Sequence, residues 1–219
     1  MIEEIREDID QKVAAIARMN GSRDPALSDW ASRIVSSARA VQGFEGQLIA
    51  WTIPAILSRA PHLTVVGQSG VYLPERALMR ADHREQPPIH MQYTGEGRLR
   101  RLDQMVFHHR TGTLEFDECK RGLQRIGADH KRTRLRDDRA LRMVGLSYAQ
   151  ERFRMVAATC TTRVISYYGR TGLPEDMTLR AEELDQHFGW PVRAAVEEHL
   201  RYFRARLDAV MPGLTEAAA

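Results

Sequence analysis

Arg100-Arg-Leu-Asp-Gln-Met-Val-Phe-His108 and Thr113-Leu-Glu-Phe-Asp-Glu-Cys-Lys120, joined through His109-Arg-Thr-Gly112, decide how this chain folds. Both stretches alternate with the period of a strand, and the short connection predicts a hairpin. A two-residue Thr111-Gly112 loop sets Phe107 opposite Phe116, Met105 opposite Glu118 and Asp103 opposite Lys120. Alternation then gathers Asp103, Met105, Phe107, Leu114, Phe116, Glu118 and Lys120 on one side. That side is apolar near the turn, which predicts burial under helices, and becomes Asp, Glu and Lys at its far end. Thr-Gly pins the register less firmly than Asn-Gly, and a one-residue slip would scatter the set.

Outward from the hairpin, the order of elements predicts an α/β or α+β core with a mixed sheet. Ile2, Ile5, Ile9, Val13 and Ile16 form a narrow helical seam over residues 2–19, suited to packing on its own domain or on a second copy. Asn20-Gly-Ser-Arg-Asp-Pro25 breaks it, and Ser28 or Asp29 caps a second helix with Trp30, Ile34, Val35, Ala38 and Val41 inward. Gly43 to Trp51 continues as helix, disturbed by Pro54. His62–Gln68 and Ile89–Tyr93 read as strands, residues 128–146 as a helix, and Met155–Tyr168 as β-prone. Arg180–Phe188 and Pro191–Val210 read as closing helices, broken at Gly189-Trp-Pro. They pack on the core or form a helix-turn-helix reader of DNA.

Composition narrows the class. In 219 residues, 43% hydrophobic and 28% charged, no apolar run reaches the length of a membrane span. The acidic, amphipathic start is unlike a secretory signal, and two cysteines do not make a disulfide framework, so a cytoplasmic setting is expected. Charge is unevenly placed: 13 Lys/Arg stand against 7 Asp/Glu between Arg98 and Arg142, and 19 against 22 in the rest. A polyanion fits the first region, and so does a solvated arginine-rich helix. Lysine is scarce, occurring only at positions 12, 120 and 131, which draws attention to Lys120 on a strand.

Two carboxylates and a lysine at one end of a buried face are costly unless they serve a purpose; a buried ion pair is the plain alternative. Carboxylates so spaced suit a hard cation such as Mg²⁺, which polarises a phosphoryl oxygen and lowers the pKa of bound water. Lysine beside them positions water or stabilises charge on phosphate.

Asp103 in Arg-Leu-Asp-Gln-Met-Val-Phe, with Glu118-Cys-Lys120 in Leu-Glu-Phe-Asp-Glu-Cys-Lys-Arg-Gly, resembles the motif of the PD-(D/E)xK nuclease superfamily. Leu102 stands where that motif has proline. The resemblance covers roughly residues 40–168 and implies a restriction-endonuclease-like αβββαβ core, with a mixed central sheet flanked by helices and with added N- and C-terminal helices. It implies a Mg²⁺-dependent DNA endonuclease, with Mn²⁺ as a substitute. Asp103, Glu118 and Glu45 are then the metal ligands, and Lys120 the residue that orients water. Glu45 matches the acidic residue that such families add from the helix before the sheet; it shares a helical face with Leu48, Ile49 and Thr52. Asp117 is expected on the opposite face.

The segment after Lys120 supplies candidate phosphate contacts: Arg121, Arg125, Lys131, Arg132, Arg134 and Arg136, followed by Arg139 and Arg142. Gln124 and Gln150 are candidates to assist the metal, or plain exposed polar residues. His108, His109, His130, Cys119 and Cys160 lack paired C-x-x-C or H-x₃-H spacing, so no zinc site is expected. No phosphate-loop or G-x-S-x-G pattern occurs. The expected division is 1–27 as an N-terminal helix, 28–170 as the nuclease-like core and 171–219 as C-terminal helices. Homodimerisation through the first helix is an expectation from the resemblance and the seam. The competing function is a non-catalytic DNA-binding or assembly protein on a nuclease-like fold, and a weaker third is an RNA-acting or other phosphoesterase.

Overall fold

A computed structural model describes residues 2–19, 23–83, 89–122, 125–169 and 171–216. The hairpin forms, as β2 (Arg98–His108) and β3 (Thr113–Lys120), and the loop between them has four residues rather than two. His108 therefore pairs with Thr113, Met105 with Phe116 and Gln104 with Asp117. The expected pairings of Phe107 with Phe116, Met105 with Glu118 and Asp103 with Lys120 are each displaced by two residues. The amides of Thr111 and Gly112 both bond the His108 carbonyl, and Gly112 takes φ 67°, which a side chain would resist. An even displacement preserves parity, so Leu114 and Phe116 keep Met105's side.

Around the hairpin the sheet runs β1 (Leu63–Leu73), β2, β3, β4 (Thr159–Ser166), β5 (Thr178–Leu179) in spatial order. The first two pairings are antiparallel and the last two parallel. The 26-residue helix α4 (Ala128–Phe153) makes the crossover that a parallel β3–β4 pair requires. The fold is thus mixed α/β, a five-stranded mixed sheet flanked by helices.

By internal contacts the chain divides into two units, residues 56–190 and residues 1–55 with 191–219. The first holds the sheet. Leu141, Val144 and Tyr148 of α4 cover Met105, Leu114 and Phe116. Gly145 lets the helix lie close, since a Cβ there would sit 2.5 Å from Cys160 Sγ and 2.6 Å from Phe116. Ile89–Tyr93 forms no strand. Its backbone lies along α4 instead, with Met91 N bonded to Met143 O, so its alternation reflects packing on a helix. Arg180–Phe188 resolves into a 3₁₀ turn (Ala181–Glu183) and a five-residue helix, α5 (Leu184–Phe188), stopped by Gly189 at φ 61°. α5 has fewer than two turns, too short for the first helix of a helix-turn-helix.

The second unit is helical. The seam of α1 (Ile2–Ala17) is buried at Ile5, Ile9, Val13 and Ile16, and α1 pairs with α6 (Arg193–Glu216). Asp10 receives hydrogen bonds from Tyr202 and Arg206 along that contact. The face that suggested a second copy is therefore covered within the chain. α2 (Asp29–Leu57) starts where Ser28 Oγ accepts the Ala31 amide, and it runs on through Pro54. Trp30, expected inward, is 53% exposed, and Ala38 is exposed as well. No helix among the described residues is long and apolar enough to cross a membrane.

Candidate functional site

At the far end of the hairpin the apolar face gives way to charge, as alternation along β3 requires. Lys120 Nζ lies 2.5 Å from Glu118 Oε1. The other oxygen, Oε2, accepts hydrogen bonds from Arg100 of β2 and Arg134 of α4. Arg134 also donates through Nε to Asp138 Oδ2 at 2.6 Å, one helical turn on. Neighbouring Asp137 takes Arg98. Burial lowers the pKa of both Arg100 and Arg134, and the charges of Asp138 and Asp103 work the other way.

Asp103 stands on the adjacent strand. Its Oδ2 accepts the Cys119 amide at 2.7 Å. The β1–β2 ladder skips the pairing of Gln68 with Asp103, and Gln68 takes φ 34°. Leu102 and Met105, an odd number of residues apart, both enter the core cluster. A non-glycine residue on the left-handed side costs roughly 1–3 kcal/mol, and such strain collects at functional sites. The structure thus brings Asp103, Glu118 and Lys120 to one end of the hairpin. A cavity of about 330 Å³ opens there, lined by Arg100, Glu118, Lys120, His130, Arg134 and Asp137.

Glu45 belongs to the helical unit, on α2. It is 8% exposed, and Arg204 Nη2 lies 3.7 Å from its Oε1. The predicted phosphate contacts divide into two kinds. Arg134, 9% exposed, is committed to Glu118 and Asp138. Lys131 donates to Gly172 O, and Arg136 pairs with Asp82 and Asp137. Arg132 is exposed beside Asp129, and Arg121 is half-buried. Arg125, also exposed, lines a separate polar hollow of about 740 Å³ with Thr171, Arg180 and Glu183. Gln150 is exposed on α4, and Gln124 lies outside the described residues.

The opposite face of the hairpin carries groups that sequence reasoning missed. Asp117 does face away from Glu118's side, and it is fully buried, receiving Gln104 Nε2 at 2.7 Å. Burial pushes its carboxyl well above the usual range, and the Glu115 charge pushes the same way. Glu115, 2% exposed, meets His187 Nε2 at 2.8 Å through Oε1 and Arg163 Nε at 3.1 Å through Oε2. Burial works to raise its carboxyl, but His187 and Arg163 hold it below the usual range. His108 completes the group, with its pKa lowered by burial. Only the alternation of two more acids on β3 could have signalled this face. His187 comes from a helix 72 residues away.

Cys119, which shares the face of Glu115 and Asp117 by alternation along β3, is buried, and burial pushes its thiol well up. Cys160 is pushed up to about 12 by the same cause. Neither is a ready thiolate. Comparison of the chain with protein-family models, curated proteins and solved structures finds no match.

Proposed function

We propose that the chain is a divalent-metal-dependent deoxyribonuclease of the PD-(D/E)xK kind, hydrolysing DNA phosphodiester bonds at Asp103, Glu118 and Lys120. The observation that supports this most is the meeting of Glu118 with Lys120, Arg100 and Arg134 at one cavity, while Asp103 on the adjacent strand accepts the amide of Cys119, the residue next to Glu118. Order along the chain adds support, since a helix, three antiparallel strands, a helix and a parallel strand follow one another as in the αβββαβ core, with a short helix α3 (Glu75–Asp82) added between the first two strands.

The donor set fits a hard cation: both acids offer oxygen, and Oδ1 of Asp103 accepts no hydrogen bond among the described residues. Asp103 and Glu118 would hold Mg²⁺ or Mn²⁺, which when bound would polarise a phosphoryl oxygen and acidify a water. Arg100 and Arg134, bonded to Glu118, are charged donors that an entering phosphate diester would share or take over. Lys120, 51% exposed at its side chain, is free to follow the attacking water while staying in reach of Glu118. Exposed Arg125 and Arg132 are the proposed contacts to backbone phosphate away from the reacting bond.

One observation favours a second reading. Three cations already satisfy Glu118, as they would in a non-catalytic DNA-binding or assembly protein whose acid serves structure alone. Calorimetric titration of Mn²⁺ and Mg²⁺ into the chain, with and without duplex DNA, separates the two. The nuclease reading predicts binding that Glu118→Gln and Asp103→Asn both weaken. DNA binding without any metal response favours the second.

A further inference from the structure

Behind the hairpin, on the face away from Lys120, three side chains from three elements converge: His108 at the end of β2, Glu115 on β3 and His187 on α5. One ring nitrogen of each histidine and one carboxylate oxygen of Glu115 all lie within 4.8 Å of one another. From this convergence we propose a second metal site, in which two imidazoles and one carboxylate bind a transition-metal dication such as Zn²⁺.

The donor chemistry separates it from the acid pair on the other face. Imidazole with carboxylate suits zinc and its first-row neighbours, whereas an all-oxygen set suits Mg²⁺. Three protein ligands leave a fourth position open, as at zinc sites that hold a water.

The surroundings are those of a prepared ligand set. His108 Nε2 is buried with no hydrogen-bond partner among the described residues, a position that ordinarily costs about 1–3 kcal/mol and that coordination would satisfy. Its ring stacks on Phe188 at 6.0 Å with an 8° tilt and meets His187 edge-on at 5.8 Å. Phe188 also meets His187 edge-on at 4.7 Å, so one aromatic ring orients both imidazoles. Arg163 Nε holds Glu115 Oε2, leaving Oε1 directed at His187, the arrangement of a ligating carboxylate steadied from behind. Zinc bonds of about 2.0–2.2 Å set tetrahedral ligands roughly 3.4 Å apart. Binding therefore draws the three ligand atoms together by roughly an ångström, a movement about the side-chain torsions of His108 and His187. Binding exchanges the His187–Glu115 hydrogen bond for two metal bonds and gives His108 Nε2 its first partner.

The site is absent from sequence spacing because its ligands stand 7 and 72 residues apart, outside any finger or zincin pattern. It does not depend on the nuclease reading, since none of its residues touches Glu118 or Asp103 among the contacts described.

The test is zinc calorimetry on the full chain after chelator treatment, with Co²⁺ absorption in the visible as a spectroscopic check. We expect one equivalent of Zn²⁺ per chain. His108→Ala and His187→Gln should each weaken it at least about tenfold, the scale on which even outer contacts of metal sites act. Glu118→Gln should leave it unchanged. Circular dichroism identifies any variant that fails to fold; His187→Gln, which retains a partner for Glu115, decides the matter if His108→Ala is such a variant. No zinc uptake by the native chain, uptake undiminished by both histidine changes, or uptake lost with Glu118→Gln overturns the site.

Discussion

Along β3 the chain places acids on both faces of the sheet, and it treats the neighbours Glu118 and Asp117 oppositely. Glu118, on the α4 side, is surrounded by Arg100, Arg134 and Lys120 and opens to a cavity. Asp117, one residue earlier, is fully buried with an amide for company and keeps its proton well above the usual range. The first environment stabilises a charged carboxylate that can exchange partners. The second suppresses charge. What separates them is the partner each acid receives: guanidinium groups from β2 and α4 for Glu118, and Gln104 beside the charge of Glu115 for Asp117, whose face commits its own guanidinium, Arg163, to Glu115. Reading an acid's role from its position in a strand therefore requires knowing what covers that strand.

The largest expected break in this contrast comes from Arg134→Ala. That change leaves Glu118 short of one cation and Asp138, fully buried, without its guanidinium. Loss of one partner from a buried pair costs about 3–5 kcal/mol. Urea unfolding should show a drop of that size, and a drop under about 1 kcal/mol would mean that the network carries little.

Asp117→Asn probes the other face with a smaller effect of opposite sign. The unfolded carboxyl titrates near ~3.9. Because the folded pKa is raised, the folded chain binds more protons above that value, and native stability falls as pH rises from about 4 upward. The asparagine variant lacks this dependence. Melting curves should show it matching or exceeding the native chain at pH 7, by on the order of 1 kcal/mol, with the advantage gone at pH 4. A pH-independent difference would contradict the protonated state.

The smallest effect on stability belongs to Lys120→Ala. Its ammonium is half exposed, and exposed pairs contribute about 0–1 kcal/mol. A near-native melting midpoint here, beside the large loss at Arg134, would separate the group available for chemistry from the group that builds the site.

Much of this was legible in the sequence. The hairpin, its apolar α4 face and the gathering of Asp103, Glu118 and Lys120 follow from strand alternation alone, which survived a register two residues from the expected one because the displacement was even. The four-residue loop was not legible, since Thr-Gly does not dictate a tight turn. Ile89–Tyr93 misled because alternation records one-sided burial, and α4 supplies that as well as a sheet does. Arg134 read as a surface phosphate contact because helix periodicity in so basic a stretch does not show which arginine turns inward. The His108–Glu115–His187 group lay beyond reach, being assembled by tertiary contact.

The proposed nuclease reading rests on the Asp103–Glu118–Lys120 cluster cutting DNA with the help of a divalent cation. Cleavage of supercoiled plasmid in Mg²⁺ or Mn²⁺ tests it most directly, with native chain, Asp103→Ala and Lys120→Ala prepared in parallel. The account predicts nicked or linear product from the native chain, abolished by chelator and reduced at least about a hundredfold in both variants, on the scale of losing one stabilising group. Equal cutting by all three preparations, or none by a folded native chain supplied with metal, would contradict it.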